Sequence, residues 1–422
     1  MRIFVKILLG LTLFLISSVA GVFALPQWPA LQDRFGAAPY QAWLKDNRVD
    51  IALADPNPIK DLDASVYEAR FIILSEIHGY RAVQAIDLAM VRHFAQTGPA
   101  RTYLAELGPE QAMAFNHFLA TGDDAPARAV FDAWAEGAYQ WANTEFFQKL
   151  VAIRTFNDSL PADRKIWFVG VDQMSSPDQF RSLVAATPTT ANPGFESYDA
   201  IQTLNVQLGQ IALARPEDAS RYAHILPNIE HLSSLDPERH FYGLWGLFHG
   251  TKTTVNGAEP LALRLNRDGG SFENSVMTFT TLCLDGCENM MPARAMPSFL
   301  HGDSNPDYLY IPMSFDDALL QRIRGANDIH ASMGDAEIAA FKVTGQDSPY
   351  HLSPRLSELT GYLSMVQSFE YGGPAAELTD YFIAIRGSAG LTPWRGSVHS
   401  ISGQSDQIGI AEVADFLNQP SP

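Results

Sequence analysis

The spacing of apolar and polar positions changes period repeatedly along the chain. Residues 71–75 are a short continuous apolar run, the pattern of a strand buried on both faces. Val83, Ile86, Met90 and Phe94 then recur at helical spacing across residues 82–95. A second strand spans 102–107. Pro109 opens a helix that runs on to Ala120, and Pro126 opens another over 126–134. Phe146, Leu150, Ile153 and Phe156 mark one side of an amphipathic helix over 145–157. "KIWFVGV", residues 165–171, is a third strand. Helical stretches over 198–214 and 216–233 lead to a fourth, residues 242–248. A helix in "EPLALRLN" and strands in "SVMTFTTLCL", "YLYIPM", "IAAFKV" and "YFIAIRG" follow.

Strands alternating with helices predict an α/β fold: a mostly parallel central sheet, helices on both faces and large helical insertions. The domain is expected over 67–390. A Pro-rich lead-in, 25–66, with an amphipathic piece near 40–45, is expected to wrap it. Residues 391–422 read as a loose polar tail. Residues 1–24 have the layout of a signal peptide: Arg2 and Lys6, an apolar run, then the small-residue sites Ser18-Val19-Ala20 and Val22-Phe23-Ala24. Residues 4–25 are also long enough to serve as an uncleaved anchor, the one case in which a membrane is a partner. Either way the bulk of the chain is expected to be exported, to a periplasmic or extracellular location.

Charge and cysteines narrow the picture further. A formal net charge of -18 with no basic stretch to offset it excludes nucleic acid as a partner. The chain has two cysteines, Cys283 and Cys287, and an oxidising compartment makes a local disulfide the leading reading. A metal site there would need further ligands.

In parallel sheets, ligands gather outside the carboxyl ends of the strands. Here those ends carry Glu76 with His78, then Glu106, Asp172 and His249. If the strands are neighbours, these groups share one crevice. His78 can act as a general base or a metal ligand. Glu76, two residues earlier, faces the same way in an extended segment and can orient it. Arg81 falls in the first turn of the next helix, where an anion is favoured, and is placed to hold a carboxylate or oxyanion. Each group also has a plainer reading, as a solvated strand-end charge or a structural acid. Glu145 and Arg154, nine apart on one helix, are either substrate contacts or surface charges. His240 is a reserve candidate. No Gly-x-Ser-x-Gly elbow, Walker-type loop or His-Glu-x-x-His helix occurs.

"FIILSEIHGYR", "YLAELG", "WANTEFFQKLVAIRTFND" and "IWFVGVDQ" together resemble the erythromycin-esterase-like family. That family resembles in turn the ChaN-type haem-binding proteins and the Tiki-type metalloproteases. Its motif residues fall on Glu76, His78, Gly79, Arg81, Glu106, Trp141, Glu145, Arg154, Asn157, Gly170 and Asp172, and its later histidine on His249. The match covers residues 68–265. It departs at Ser75, where the family has glycine, and in placing the glutamate two rather than three before the histidine, as in the ChaN type. The resemblance implies a hydrolase in which His78 and Glu76 drive water onto an ester, lactone or amide, with Glu106 and His249 completing the site. A Tiki-like divalent metal would take Glu76, His78, Glu106 and His249 as ligands. A ChaN-like carrier would instead bind a haem-like ligand through His78, His249 or Tyr80. A noncatalytic domain of the same fold is the third implication.

Overall fold

The structure, a computed structural model, describes residues 33–187, 190, 192–216, 220–302, 305–317, 321–360, 371–401 and 411–418. The leader expected at 1–24 and the start of the expected lead-in lie outside the described residues.

Eight strands form the central sheet: β1 (Arg48–Asp50), β2 (Phe71–Glu76), β3 (Arg101–Ala105), β4 (Phe168–Gly170), β5 (His240–Gly246), β6 (Val276–Leu284), β10 (Ile338–Lys342) and β12 (Tyr381–Arg386). A small three-stranded sheet takes β7 (Glu288–Pro292), β8 (Tyr308–Pro312) and β13 (Val398–Ser400). A two-stranded ribbon takes β9 (Arg322–Ile323) and β11 (Leu359–Thr360). The central order is β1-β10-β12-β6-β2-β5-β3-β4. From β12 to β4 every pairing is parallel, and β10 and β1 extend the β12 edge in antiparallel fashion. The chain is therefore α/β with a mostly parallel sheet. Register aligns the strand ends: Glu76 pairs with Gly246, and Ala105 with Gly170.

β4 is an edge strand, and its outer backbone would be left unpaired. Asparagine side chains take the place of a neighbour. Asn116 bonds both the N–H and the carbonyl of Phe168, and Asn157 does the same for Ile166. Asn205 accepts from Gly170 N and donates to Phe168 O, while Asn228 donates to Val171 O. β3 pairs with β4 only from Phe168 to Gly170, and side chains hold Ile166 and Val171 on either side.

A buried charge cluster ties two helices to the sheet. Lys149, on the helix Thr144–Ser159, lies 2.5 Å from Asp87, on the helix Arg81–Gln96, and both side chains are fully buried. The Tyr103 and Tyr242 hydroxyls, from β3 and β5, each donate to Asp87 at 2.8 Å. Every polar atom of the pair's contact thus has a partner from another element.

Of the expected loose tail, 391–422, the described parts, 391–401 and 411–418, are folded, and the rest lies outside the described residues. β13 pairs with β8, and the helix Ala411–Asn418 buries Val413, Phe416 and Leu417 against the helices Arg81–Gln96 and Thr144–Ser159. Those three apolar side chains fall on one helical face, and the Arg92 guanidinium covers the Phe416 ring. Within the described part of the lead-in, the helix Ala38–Asp46 packs on the helix Ala326–Met333, and Asp33 pairs with Arg324. Among the described residues no helix is long and apolar enough to cross a membrane.

Candidate functional site

β2 is buried along its whole length and delivers Glu76 and then His78 to the carboxyl edge of the sheet. Glu76 Oε1 lies 3.0 Å from His78 Nδ1, and the Glu76 side chain is 1% exposed. The carboxylate accepts from Nδ1–H, which leaves Nε2 as the bare ring nitrogen. Nε2 has no protein hydrogen-bond partner among the described residues, and the His78 side chain is 29% exposed. Its ring leans on Trp141, with centroids 4.6 Å apart. The backbone is held equally firmly. The His78 carbonyl accepts from Gln140 Nε2 and Asn289 Nδ2, and Gly79 turns the chain at φ +110, where a Cβ would strike the Asn289 side chain.

Gly246, at the end of β5, sets the spacing of the crevice. A Cβ there would stand 3.2 Å from His78 Nε2 and 3.5 Å from Glu106 Oε2, so the two side chains meet over the same bare glycine. Gly246 N also donates to Glu106 Oε2 at 2.6 Å. Glu106 Oε1 accepts from Arg221 Nη2 at 2.7 Å and lies 3.3 Å from His249 Nε2. Arg221 grips Asp172 as well, through Nε at 3.0 and 2.9 Å and through Nη2. The Tyr222 hydroxyl lies 3.1 Å from His249 Nδ1. Burial pushes the Tyr222 hydroxyl up to about 12, so it stays protonated; the His249 ring is thus set between Tyr222 at Nδ1 and, at Nε2, Glu106 with Arg221 Nη1 3.4 Å away.

These contacts shift the ionisation of the central groups. For His78, burial opposes the charged ring, but the Glu76 hydrogen bond and the charges of Glu76 and Glu106 outweigh it and hold its pKa above the ordinary value. For Glu106, burial opposes the carboxylate, yet its bond to His249 and the charges of His249, His78 and Arg221 hold it far below the usual range. Arg221 is likewise held charged: burial works against it, and Asp172 and Glu106 win.

The crevice thus gathers Glu76, His78, Glu106, Asp172 and His249 around Arg221. Arg81 and Glu145 are placed otherwise. Arg81 Nε bonds Glu145 at 2.9 Å and Nη2 bonds Thr392 at 3.0 Å, while Glu145 accepts from Thr392 N. Both side chains are spent clamping the segment around Thr392. Arg154 packs against Gly122, at the far end of the helix Pro109–Thr121, which is about 20 Å long. It is a correction to the expected substrate contacts. His240 opens β5 at the opposite edge of the sheet and bonds Ala69 O. Cys283 and Cys287 are disulfide-bonded across a turn in which Asp285 and Gly286 have positive φ. Arg221 and Tyr222, which open the helix Arg221–Leu235, are the functional candidates that the sequence reading missed. The one available signal was the excess of acids at the strand ends, which requires a cation from elsewhere.

The expected metal set does not fit a metal here. Among the described residues, the group of three ligand side chains with atoms all within 4.8 Å is Asp285, Asp316 and His330, not the strand-end four. In the crevice a guanidinium already holds the position between Glu106 and Asp172. For a haem, Tyr80 is buried with its hydroxyl given to Met313 O and both His249 nitrogens face partners, so of the three expected axial ligands His78 Nε2 is the open one. The apolar cavity beside the strand ends, about 220 Å³, is below the span of about 300–1,000 Å³ typical of drug-sized ligands.

No family model matches the chain, and no curated protein does. Solved structures do. A protein from Bacillus cereus superposes with a TM-score of 0.57 at 12% identity, covering 86% of this chain and 100% of its own. A succinoglycan biosynthesis protein gives 0.55 at 9% identity, covering 85% and 98%. A mutant of erythromycin esterase EreC in its open conformation gives 0.51 at 11% identity, covering 82% and 99%. At such identities the likeness is one of architecture, and on that ground the chain has the fold of erythromycin esterase EreC.

Proposed function

We propose that the chain is an exported hydrolase that opens an ester or lactone by direct attack of water, with His78 as general base. One observation carries the reading: a histidine whose Nδ1 is held by a buried carboxylate and whose Nε2 is bare, beside a carboxylate–guanidinium–imidazole cluster. Nε2 takes a proton from water as the water oxygen bonds the carbonyl carbon. Glu76 stabilises the imidazolium that forms. Arg221, 47% exposed, offers positive charge to the developing oxyanion. The tetrahedral species then expels the alcohol oxygen, which takes the proton back from Nε2. No step needs a metal, in keeping with the guanidinium at the centre of the cluster. Export is supported by the disulfide between Cys283 and Cys287 and by the leader-like first residues.

A panel of nitrophenyl esters and lactones, assayed with and without chelator, tests the reading against the His78→Asn variant. The variant is expected to lose about 10²- to 10⁴-fold in kcat/KM with an unchanged melting temperature. Chelator is expected to change nothing. No turnover of any member by the wild type, or full turnover by the variant, overturns the proposal.

A further inference from the structure

An apolar cavity of about 220 Å³ opens next to the crevice. Two of its lining residues belong to the strand ends themselves: Ile77 stands between Glu76 and His78, and Leu247 lies two residues before His249. Register places them side by side, since Glu76 pairs with Gly246 immediately before them. Leu282, Phe315, Leu359 and Phe382 form much of the remaining wall. No charged residue lines it among the described residues.

Its polar lining is largely turned to other use. Thr281 donates its hydroxyl to Ser75 O at 3.1 Å, and Thr280 to Thr379 Oγ1 at 3.0 Å. The Ser357 hydroxyl bonds Gly373 O at 2.6 Å. Three of the four polar side chains in the wall therefore have their hydroxyls engaged, and Gln321 is the remaining one. Such a wall favours an occupant with no polar atoms of its own.

Resting on the hydrolase reading, we infer that this cavity is the subsite for an apolar acyl chain, so that the substrate is an ester or lactone of a medium-chain fatty acid. A cavity of 150 Å³ takes the six carbons of benzene, so 220 Å³ has room for roughly nine heavy atoms. The chain enters past Ile77 and Leu247. That path leaves the carbonyl carbon at the cavity mouth, on the side of His78 and Glu106.

Two measurements on the full chain separate this inference from the hydrolase reading. The first is calorimetric titration with octanamide, an uncharged amide, against butanamide. Octanamide is expected to bind with saturation and a negative heat-capacity change, and at least tenfold more tightly. The second is kcat/KM across nitrophenyl esters from acetate to dodecanoate. It is expected to rise about fourfold per methylene, then level near eight to ten carbons. Leu359→Trp narrows the cavity and should weaken octanamide at least tenfold and shorten the plateau. Leu359→Ala should lengthen it, and serves if the tryptophan variant fails to fold. Octanamide that binds no better than butanamide overturns the subsite, as does a flat ladder with good turnover, which leaves the hydrolase standing. Tight octanamide binding with no turnover of any ester upholds the subsite and sinks the hydrolase.

Discussion

Glu76→Gln isolates what the carboxylate does for His78. The substitution keeps shape and leaves an oxygen to accept from Nδ1–H, but removes the negative charge 3.0 Å from the ring. A hydrogen bond to a charged group contributes about 1.5–3 kcal/mol, against about 0.5–1.5 kcal/mol for a neutral one. The imidazolium formed in the transition state therefore loses about 1–2 kcal/mol, or about 5- to 30-fold in kcat/KM. The pH profile moves as well. The unprotonated ring is the active form, and its pKa is held up by the Glu76 bond and charge over the opposing effect of burial. Without that charge the pKa falls, so the acid limb of kcat/KM shifts to lower pH. Stability should not suffer. Glu76 Oε2 is buried without a partner among the described residues, and a neutral amide is cheaper to keep there than a carboxylate oxygen. Stopped-flow or steady-state hydrolysis from acid to neutral pH, with urea unfolding as control, reads both effects. An acid limb that stays in place or moves upward refutes the orienting role of Glu76, and so does an unchanged kcat/KM.

Further predictions concern the neighbouring groups. Gly246 has φ -56, which alanine adopts freely, but its Cβ would stand 3.2 Å from His78 Nε2. Gly246→Ala should therefore cost about tenfold or more in kcat/KM at near-constant urea midpoint; equal activity would mean that the His78 ring is not held as described. Lys149→Met strands the buried Asp87 charge and should lower unfolding free energy by about 3–5 kcal/mol, with Asp87→Asn added to it recovering part of the loss. A midpoint unmoved by Lys149→Met would contradict the buried pair. Because Glu106 is held below its ordinary 4.5, its contribution to stability is full above that pH and is lost as pH falls further. Glu106→Gln should thus flatten the loss of stability on acidification between about pH 5 and pH 3, and an unchanged acid slope would count against the depressed pKa.

Much of the fold was legible because the signals were local. A continuous apolar run ending on Glu76 and His78 is unusual enough to mark both a strand and a site. The strands "YFIAIRG" and "IAAFKV" announced themselves by composition, though not that β10 joins the sheet antiparallel. What sequence could not supply came from long-range closure. Arg221 reaches Glu106 across 115 residues, and nothing beside it in the chain marks it as the cation of the crevice. The asparagines that cap β4 look like ordinary helix residues until the edge strand lies beside them. The helix Ala411–Asn418 was hidden by polar surroundings, although Val413, Phe416 and Leu417 carry helical spacing. Arg81 misled for a related reason. Its position favours an anion, but the anion it meets is Glu145 of the chain itself.

The proposed chemistry depends on a His78 ring that presents a bare Nε2 with Nδ1–H held by Glu76. Nitrogen-15 NMR of histidine-labelled protein, followed through a pH titration, tests this without any substrate. The neutral His78 ring is expected to be protonated at Nδ1, with a pKa above the ordinary 6.5 that falls in the Glu76→Gln variant. A neutral ring protonated at Nε2, or a pKa below 6.5 that the variant leaves unmoved, would contradict it.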